Sequence, residues 1–207
     1  MYFQDRKDAG LKLARALQQY AGEEPVIYAL PRGGVVLGVE VSRQLKAALD
    51  LLIVRKIGHP FNPEYAVAAV GADGDIVKNT EEVAQIDPEW FKAETAKQRA
   101  EANRRRKLYL AGRKPVSATG KTCIIVDDGL ATGLTMKAAI KELQSQKPKA
   151  IIVALPVAPA SAALELRDMV TDVIVLYAPD VLDAVGSYYR DFGQVSDEEV
   201  ISLIRAL

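Results

Sequence analysis

The sequence predicts an α/β protein with a three-layer architecture, a parallel sheet covered by helices on both faces, and three observations lead there. Short apolar runs without polar alternation recur at 26–30, 51–54, 123–126, 150–155 and 173–177. A strand that shows no alternation is covered on both faces, as in parallel sheets. Helix-patterned segments lie between these runs, with Met136, Ala139, Ile140 and Leu143 on one face of the first of the later pair and Ala160, Ala163 and Leu164 on the next. A chain of 207 residues that is 49% hydrophobic and 26% charged is of a size and composition for one folded domain. The expected organisation is a single domain over 1–207 with an insertion at 58–120.

Taken in order, Leu13, Leu17 and Tyr20 predict an amphipathic helix from Asp5 to Ala21 that carries Gly10 at some cost and stops at Gly22. Val26 to Leu30 reads as a strand, Pro31-Arg32-Gly33-Gly34 as a tight loop, and the following segment as a helix with Leu37, Val41, Leu45 and Ala48 on one face. Leu51 to Val54 repeats the strand signal and ends in Arg55-Lys56. The rhythm then breaks. Ala66–Val70 and Asp75–Lys78 flank Ala72-Asp73-Gly74, a hairpin signal. Asp87-Pro88-Glu89 starts a long helix with a capping carboxylate and a proline in the first turn. That helix runs to about Gly112 with Ala93, Ala96 and Ala100 as a thin apolar stripe between Trp90-Phe91 and Leu108-Tyr109, and it reads as a hood element. Residues 113–119 return the chain to the core, and Ser196-Asp197-Glu198-Glu199 opens the last helix.

Composition narrows the function. Twenty-seven basic and twenty-seven acidic side chains cancel, so no global field draws the chain to nucleic acid or to an anionic membrane, and a charged ligand must be met locally. The most apolar stretch, 150–164, is broken by Pro156 and Pro159 and is too short to span a bilayer. The first eight residues have no apolar core behind their charges and predict no secretory signal. One cysteine, Cys123, cannot form an intrachain disulfide and is expected as a buried thiol, which points to the cytoplasm. One histidine, His59, leaves no histidine and cysteine set for zinc.

The chemistry concentrates at 124–136. Asp127 and Asp128 follow a buried strand at its carboxyl end, where ligands bind in open α/β sheets. Ala131-Thr132-Gly133-Leu134-Thr135 then forms a small-residue loop leading into a helix, whose free N–H groups and dipole favour an anion such as phosphate. Carboxylates accept hydrogen bonds from neutral hydroxyls. Diol acceptors beside phosphate donors describe a phosphorylated sugar. Either acid alone would read as a helix cap, but Asp-Asp before Ala-Thr-Gly-Leu-Thr exceeds what capping requires.

This stretch resembles the donor-binding signature of type I phosphoribosyltransferases, a hydrophobic strand, two acids and Thr-Gly-x-Thr. The resemblance implies that Asp127 and Asp128 hold the ribose hydroxyls of 5-phosphoribosyl 1-diphosphate, with Ala131, Thr132, Gly133, Leu134 and Thr135 around its 5-phosphate. It implies that Arg32, Gly33 and Gly34 meet the pyrophosphate, and Arg55 and Lys56 add positive charge. It implies displacement of pyrophosphate from ribose C1 by a nitrogenous base, with Arg32, Lys56, Asp127 and Asp128 as the catalytic set. Magnesium is the expected cofactor, held mainly by donor oxygens and water with Asp127 or Asp128 assisting. A homodimer is expected.

Ala131 stands where relatives that use 6-oxopurines carry an acid, which argues against that acceptor route. The Ala-Thr-Gly form is closer to adenine and uracil transferases, and the acceptor base stays open. The insertion occupies the place of the family's mobile loop, making His59, Asn62, Glu64 and Tyr65 candidates for closing over substrate, or residues of an ordinary surface loop. Tyr188 or Phe192 either stacks on a base or packs the last helix. Arg104-Arg105-Arg106-Lys107 raises a second class, a donor-sensing regulator that binds RNA or DNA, against a solvated helix end whose cations complement the dipole.

Overall fold

The structure, a computed structural model, describes residues 2–72, 76–130 and 133–207, and for Glu64 the backbone alone. Five parallel strands form the central sheet: β1 (Val26–Ala29), β2 (Ala48–Leu51), β6 (Thr122–Val126), β7 (Ala150–Val157) and β8 (Asp172–Tyr177), in the order β2-β1-β6-β7-β8. Three further strands, β3 (Val54–His59), β4 (Asn62–Gly71) and β5 (Ile76–Lys78), pair antiparallel in a second sheet. The α/β class and the parallel sheet are as the apolar runs predict.

Alternate residues of β1 face opposite layers. Ile27 and Ala29 join one core with Leu13 and Leu17 of helix α1 (Arg6–Ala16) and its continuation and Leu37 and Val41 of α2 (Gly33–Leu45). Val26 and Tyr28 join the other, with Met136, Ile140 and Leu143 of α5 (Leu134–Ser145) and Leu166 of α6 (Ala160–Arg167). Cys123 is buried in that second core as a free thiol, and burial pushes it up to about 11.

Several boundaries differ from the sequence expectation. The first helix stops at Ala16 and continues as a 3₁₀ segment, Gln18–Glu23, where Tyr20 turns away to donate its hydroxyl to Asp172 at 2.5 Å. Helix α2 ends at Leu45 with Lys46 in the left-handed region, so Ala48 opens strand β2 instead of extending the helix. The second core strand is therefore 48–51, not 51–54. Arg55 and Lys56 lie on β3 of the antiparallel sheet, which starts at Val54, ahead of Gly58. Leu164 is exposed, since α6 turns Ala163 and Leu166 inward. Strands β4 and β5 pair as the hairpin signal predicts, while Asp73 and Gly74 of its turn lie outside the described residues.

Local capping chemistry is legible at several ends. The Asn79 side chain accepts from the Glu81 and Glu82 amides at the short α3 (Thr80–Val83). The Asp87 side chain accepts from the Glu89 and Trp90 amides at the start of α4 (Pro88–Leu110), and Ser196 and Glu199 form a reciprocal capping box at α7 (Asp197–Arg205). The alanine stripe expected on α4 is not its buried face. Thr95, Ala102, Tyr109 and Leu110 are buried instead, and Ala93, Ala96 and Ala100 are not among them. Trp90 and Phe91 pack on Ile57, Val67, Val70 and Ile86, so one end of the helix rests on the antiparallel sheet while Tyr109 joins the main core.

The chain after α4 is pinned by a buried carboxylate. Asp50 Oδ2 accepts the Val116 amide at 2.7 Å and Tyr28 donates its hydroxyl to the Val116 carbonyl at 2.7 Å, which satisfies both backbone groups of that residue. Asp50→Ala leaves the amide without this partner. Urea denaturation is expected to report a loss of about 1–3 kcal/mol; an unchanged midpoint would remove Asp50 from this role.

Candidate active site

Strand order places the site. From β1 the chain crosses to β2 on one side, and from β6 it crosses to β7 and β8 on the other, so the direction of winding reverses between β1 and β6. A crevice at the carboxyl ends of the strands follows at such a point. Ala29 and Val126 are in register and the Leu30 amide donates to the Val126 carbonyl at 3.0 Å, which sets the 30–34 loop beside Asp127 and Asp128.

That approach is close enough to dictate composition. A Cβ on Gly33 would overlap Asp128 Oδ2, and one on Gly34 would lie 2.8 Å from the Val126 carbonyl oxygen and 2.9 Å from Asp127 Cα. Only glycine fits where the two loops touch. Across the crevice Gly133 takes φ +77° and turns the chain into α5. Helices α2, α5 and α6 have no side-chain cap, and α2 and α5 both begin at the crevice. Their first N–H groups and dipoles favour an anion.

The crevice is a cavity of about 750 Å³. Of the sequence-predicted residues, Arg32, Gly33, Arg55, Lys56, Asp127, Asp128, Gly133 and Thr135 line it. Gly34 lies behind the wall, packed on Asp127, and Leu134 packs toward Ala69, Val77 and Ala138, so neither presents a side chain to the cavity. Ala131 and Thr132 lie outside the described residues. Of the loop candidates His59 lines the cavity, Tyr65 donates its hydroxyl to Glu82 instead, Asn62 is exposed beyond the lining, and the Glu64 side chain is outside the description.

The electrostatics are uneven. Asp127 touches the cavity floor with protein around its other sides. Burial, and then the neighbouring Asp128 charge, hold its carboxyl well above the usual range, and Lys56 opposes that rise. Its Oδ1 accepts the Asp128 amide at 2.9 Å. Arg32 Nη1 stands 3.5 Å from Asp197 Oδ1, an oxygen that also accepts the Tyr109 hydroxyl at 2.6 Å, so the start of α7 anchors the loop cation. The Thr135 hydroxyl oxygen is buried with no hydrogen-bond partner among the described residues.

Sequence reasoning missed two groups. Trp90, Glu94 and Gln98 follow one face of α4 at four-residue spacing and form a wall of the cavity. Gln98 donates to Glu94 Oε1 at 2.7 Å and accepts from Arg55 Nε at 3.0 Å; the Gln98 bond draws the Glu94 carboxyl down. Their spacing was visible, but nothing local indicates which face of α4 meets the cavity. The second group is Arg6, whose Nε donates to Asp128 Oδ2 at 2.8 Å and whose guanidinium lies 3.8 Å above the Phe192 ring. Phe192 thus supports Arg6, and Tyr188 stacks with Tyr2 and lies beside Tyr177, so these aromatics pack against the start of the chain and β8; neither is among the residues that line the cavity.

The fold is an open, largely parallel α/β sheet whose switch point gathers an acidic pair, a cationic glycine loop and an uncapped helix start. The chain belongs to the phosphoribosyl transferase domain family, whose model matches residues 4–186. It is 40% identical over 204 residues to two Mycobacterium tuberculosis proteins, of strains CDC 1551 / Oshkosh and H37Rv, provisionally named phosphoribosyl transferases. The match takes in 98% of this chain and 46% of theirs, so the chain spans about half the length of these relatives. The crystal structure of TT1426 from Thermus thermophilus is 40% identical with TM-score 0.83, over 99% of this chain and 98% of that one. AQ2163 from Aquifex aeolicus shares the fold at 14% identity and TM-score 0.51, over 82% and 73% of the two chains.

The raised Asp127 carboxyl has a signed consequence. A folded-state value above the unfolded one favours the protonated form, so its contribution to stability is full below the ordinary carboxylate value of 3.8 and is lost as pH rises through the raised value. Asp127→Asn mimics the protonated state. Its stability relative to wild type is expected to rise with pH across that window in parallel denaturation series, and a pH-independent difference would refute the assignment.

Proposed function

We propose that the chain transfers the 5-phosphoribosyl group of 5-phosphoribosyl 1-diphosphate to a nitrogenous base and releases pyrophosphate, with magnesium. The observation that carries this reading is the meeting of Asp127-Asp128, the Arg32-Gly33 loop and the start of α5 around one cavity. In the reaction the bond from ribose C1 to pyrophosphate breaks, a bond from C1 to the base nitrogen forms, and the base gives up a proton. Arg32 and Lys56 offset the charge that collects on the departing pyrophosphate. Asp127 and Asp128 accept the ribose hydroxyls and orient the sugar. The Thr135 hydroxyl and the first amides of α5 receive the 5-phosphate, a role that fits a buried hydroxyl with no partner among the described residues.

The donor set fits magnesium in a particular way. Among the described residues no group of three or more His, Cys, Asp or Glu could hold a metal ion by itself. Two hard carboxylate ligands at the cavity suit an ion that keeps waters and takes its remaining oxygens from the substrate. Asp127 or Asp128 would hold it, and when bound it supplies charge neutralisation on pyrophosphate.

The α4 wall of the cavity suits the acceptor, with the Trp90 indole as an apolar plane and Glu94 and Gln98 as hydrogen-bonded polar groups. The homodimer and the cytoplasmic setting belong to the same proposal; among the described residues no helix is long and apolar enough to cross a membrane. Against the competing regulator reading, two of the four cations in its basic run, Arg104 and Arg105, donate to Glu101, whose carboxyl they bring down to about 2.

Incubation with the donor, magnesium and a panel of purines and pyrimidines, read as pyrophosphate release, tests the proposal; no turnover with any base would sink the enzymatic reading. Arg32→Ala is expected to slow the reverse reaction by about tenfold or more at fixed pyrophosphate, as loss of a charged hydrogen bond implies. Undiminished pyrophosphate use would show that this cation lies elsewhere. Trp90→Ala and Glu94→Gln are expected to raise the KM for the base about tenfold with little change for the donor. A shift confined to the donor would move the acceptor to another wall.

A further inference from the structure

We propose that Arg6 is a positioning residue for the ribose end of the donor, acting through Asp128. The inference rests on the reading of Asp128 as a ribose contact. Asp127 and Asp128 are adjacent carboxylates on one cavity, and Arg6 holds Asp128 Oδ2 at 2.8 Å. Like charges in that position repel, and an unpaired Asp128 side chain has rotamers that carry it away from its neighbour. One directed bond from Arg6 selects the rotamer and leaves the other lone pairs of the carboxylate for hydroxyls.

Arg6 is itself fixed on several sides. Its side chain is 12% exposed, its Nη1 donates to the Gly193 carbonyl at 2.7 Å, and Phe192 lies beneath the guanidinium. The Tyr189 hydroxyl donates to the Asp128 carbonyl at 2.6 Å, so the same C-terminal segment that seats Arg6 also seats the backbone of Asp128. This segment is stitched to residues 3–4 by the Phe3 amide on the Tyr188 carbonyl and by the Arg190 and Asp191 amides on the Phe3 and Gln4 carbonyls. A Cβ on Gly33 would overlap Asp128 Oδ2 and lie 2.8 Å from Arg6 Nε, so the cationic loop packs directly over this ion pair.

A helix-forming reason for Arg6 is lacking. It is the first residue of α1, where a cation opposes the helix dipole, and the cap of that helix is supplied by Asp5 accepting the Asp8 amide. A tie between chain ends would need no contact with a cavity carboxylate; the Phe3 and Tyr189 bridge already provides one.

Calorimetry on the full chain separates positioning from a purely structural tie, with ribose 5-phosphate and magnesium pyrophosphate as separate probes. Arg6→Met is expected to weaken ribose 5-phosphate about tenfold or more, and pyrophosphate by no more than about twofold. On an Asp128→Asn background the same change is expected to cost ribose 5-phosphate no more than about twofold. Equal losses for both probes, or an undiminished loss without the Asp128 carboxylate, would overturn the proposal. Arg6→Lys, which keeps the charge but not the forked contacts to Asp128 and Gly193, serves if Arg6→Met does not fold. It should show an intermediate loss for ribose 5-phosphate, and wild-type affinity would overturn the proposal as well. Failure of the wild type to bind either probe would sink the donor-site reading and this inference together, whereas wild-type binding that Arg6 variants leave intact would sink this inference alone.

Discussion

The site depends on two neighbouring parallel strands that end level with each other. Because β1 and β6 are in register to Ala29 and Val126, the loops that leave them emerge side by side at the point where winding reverses. Each loop limits the other. Backbone at 33–34 approaches the acidic pair so closely that a methyl group could not fit, and the Leu30 amide holds the two chains together just below. Cation and carboxylates are neighbours by virtue of the sheet, although they are far apart in sequence.

The antiparallel sheet adds a wall to the open cavity at these strand ends. It lies between α4, whose Trp90 and Phe91 pack on Ile57 and Val70, and α5, whose Leu134 and Ala138 pack beside Ala69 and Val77. One layer thus supports the start of α5 while bringing Arg55 and Lys56 of β3 to the same space. The chain carries no net charge, so attraction for an anionic ligand has to be assembled locally, and here it comes from separate parts of the fold. Arg32 is tethered to α7, Arg55 to Gln98, and Lys56 acts on Asp127.

Acidic side chains at the cavity sit in contrasting environments. Asp127 is held protonated to higher pH by burial and by its neighbour, whereas Glu94 is held ionised by the Gln98 amide. A ligand cation favours the ionised form of Asp127, so occupancy of the acidic pair and its proton affinity oppose each other. The terminal segments add a fixed frame around Asp128, so residues near both ends of the chain reach its central crevice.

Features written in short stretches of sequence were legible because their physics is local. The apolar strand runs, the Asp87 and Ser196 caps, the acidic pair and the glycine-bearing loops all depend on residues within a few positions of each other. Long-range choices were not. The alanines at 93, 96 and 100 were as plausible a core stripe as the face that α4 buries, because periodicity reports spacing and not which face a neighbour covers. Arg55 and Lys56 moved to a different sheet because a left-handed Lys46 ended helix α2 early and let β2 start at Ala48. Arg6 meets Asp128 across 122 positions. By itself the sequence determined the layered α/β class and the residue types of the loop after β6; tertiary structure alone decided that Arg6 and the Trp90, Glu94 and Gln98 face of α4 stand beside that loop, since such contacts exist only once distant strands and helices have packed.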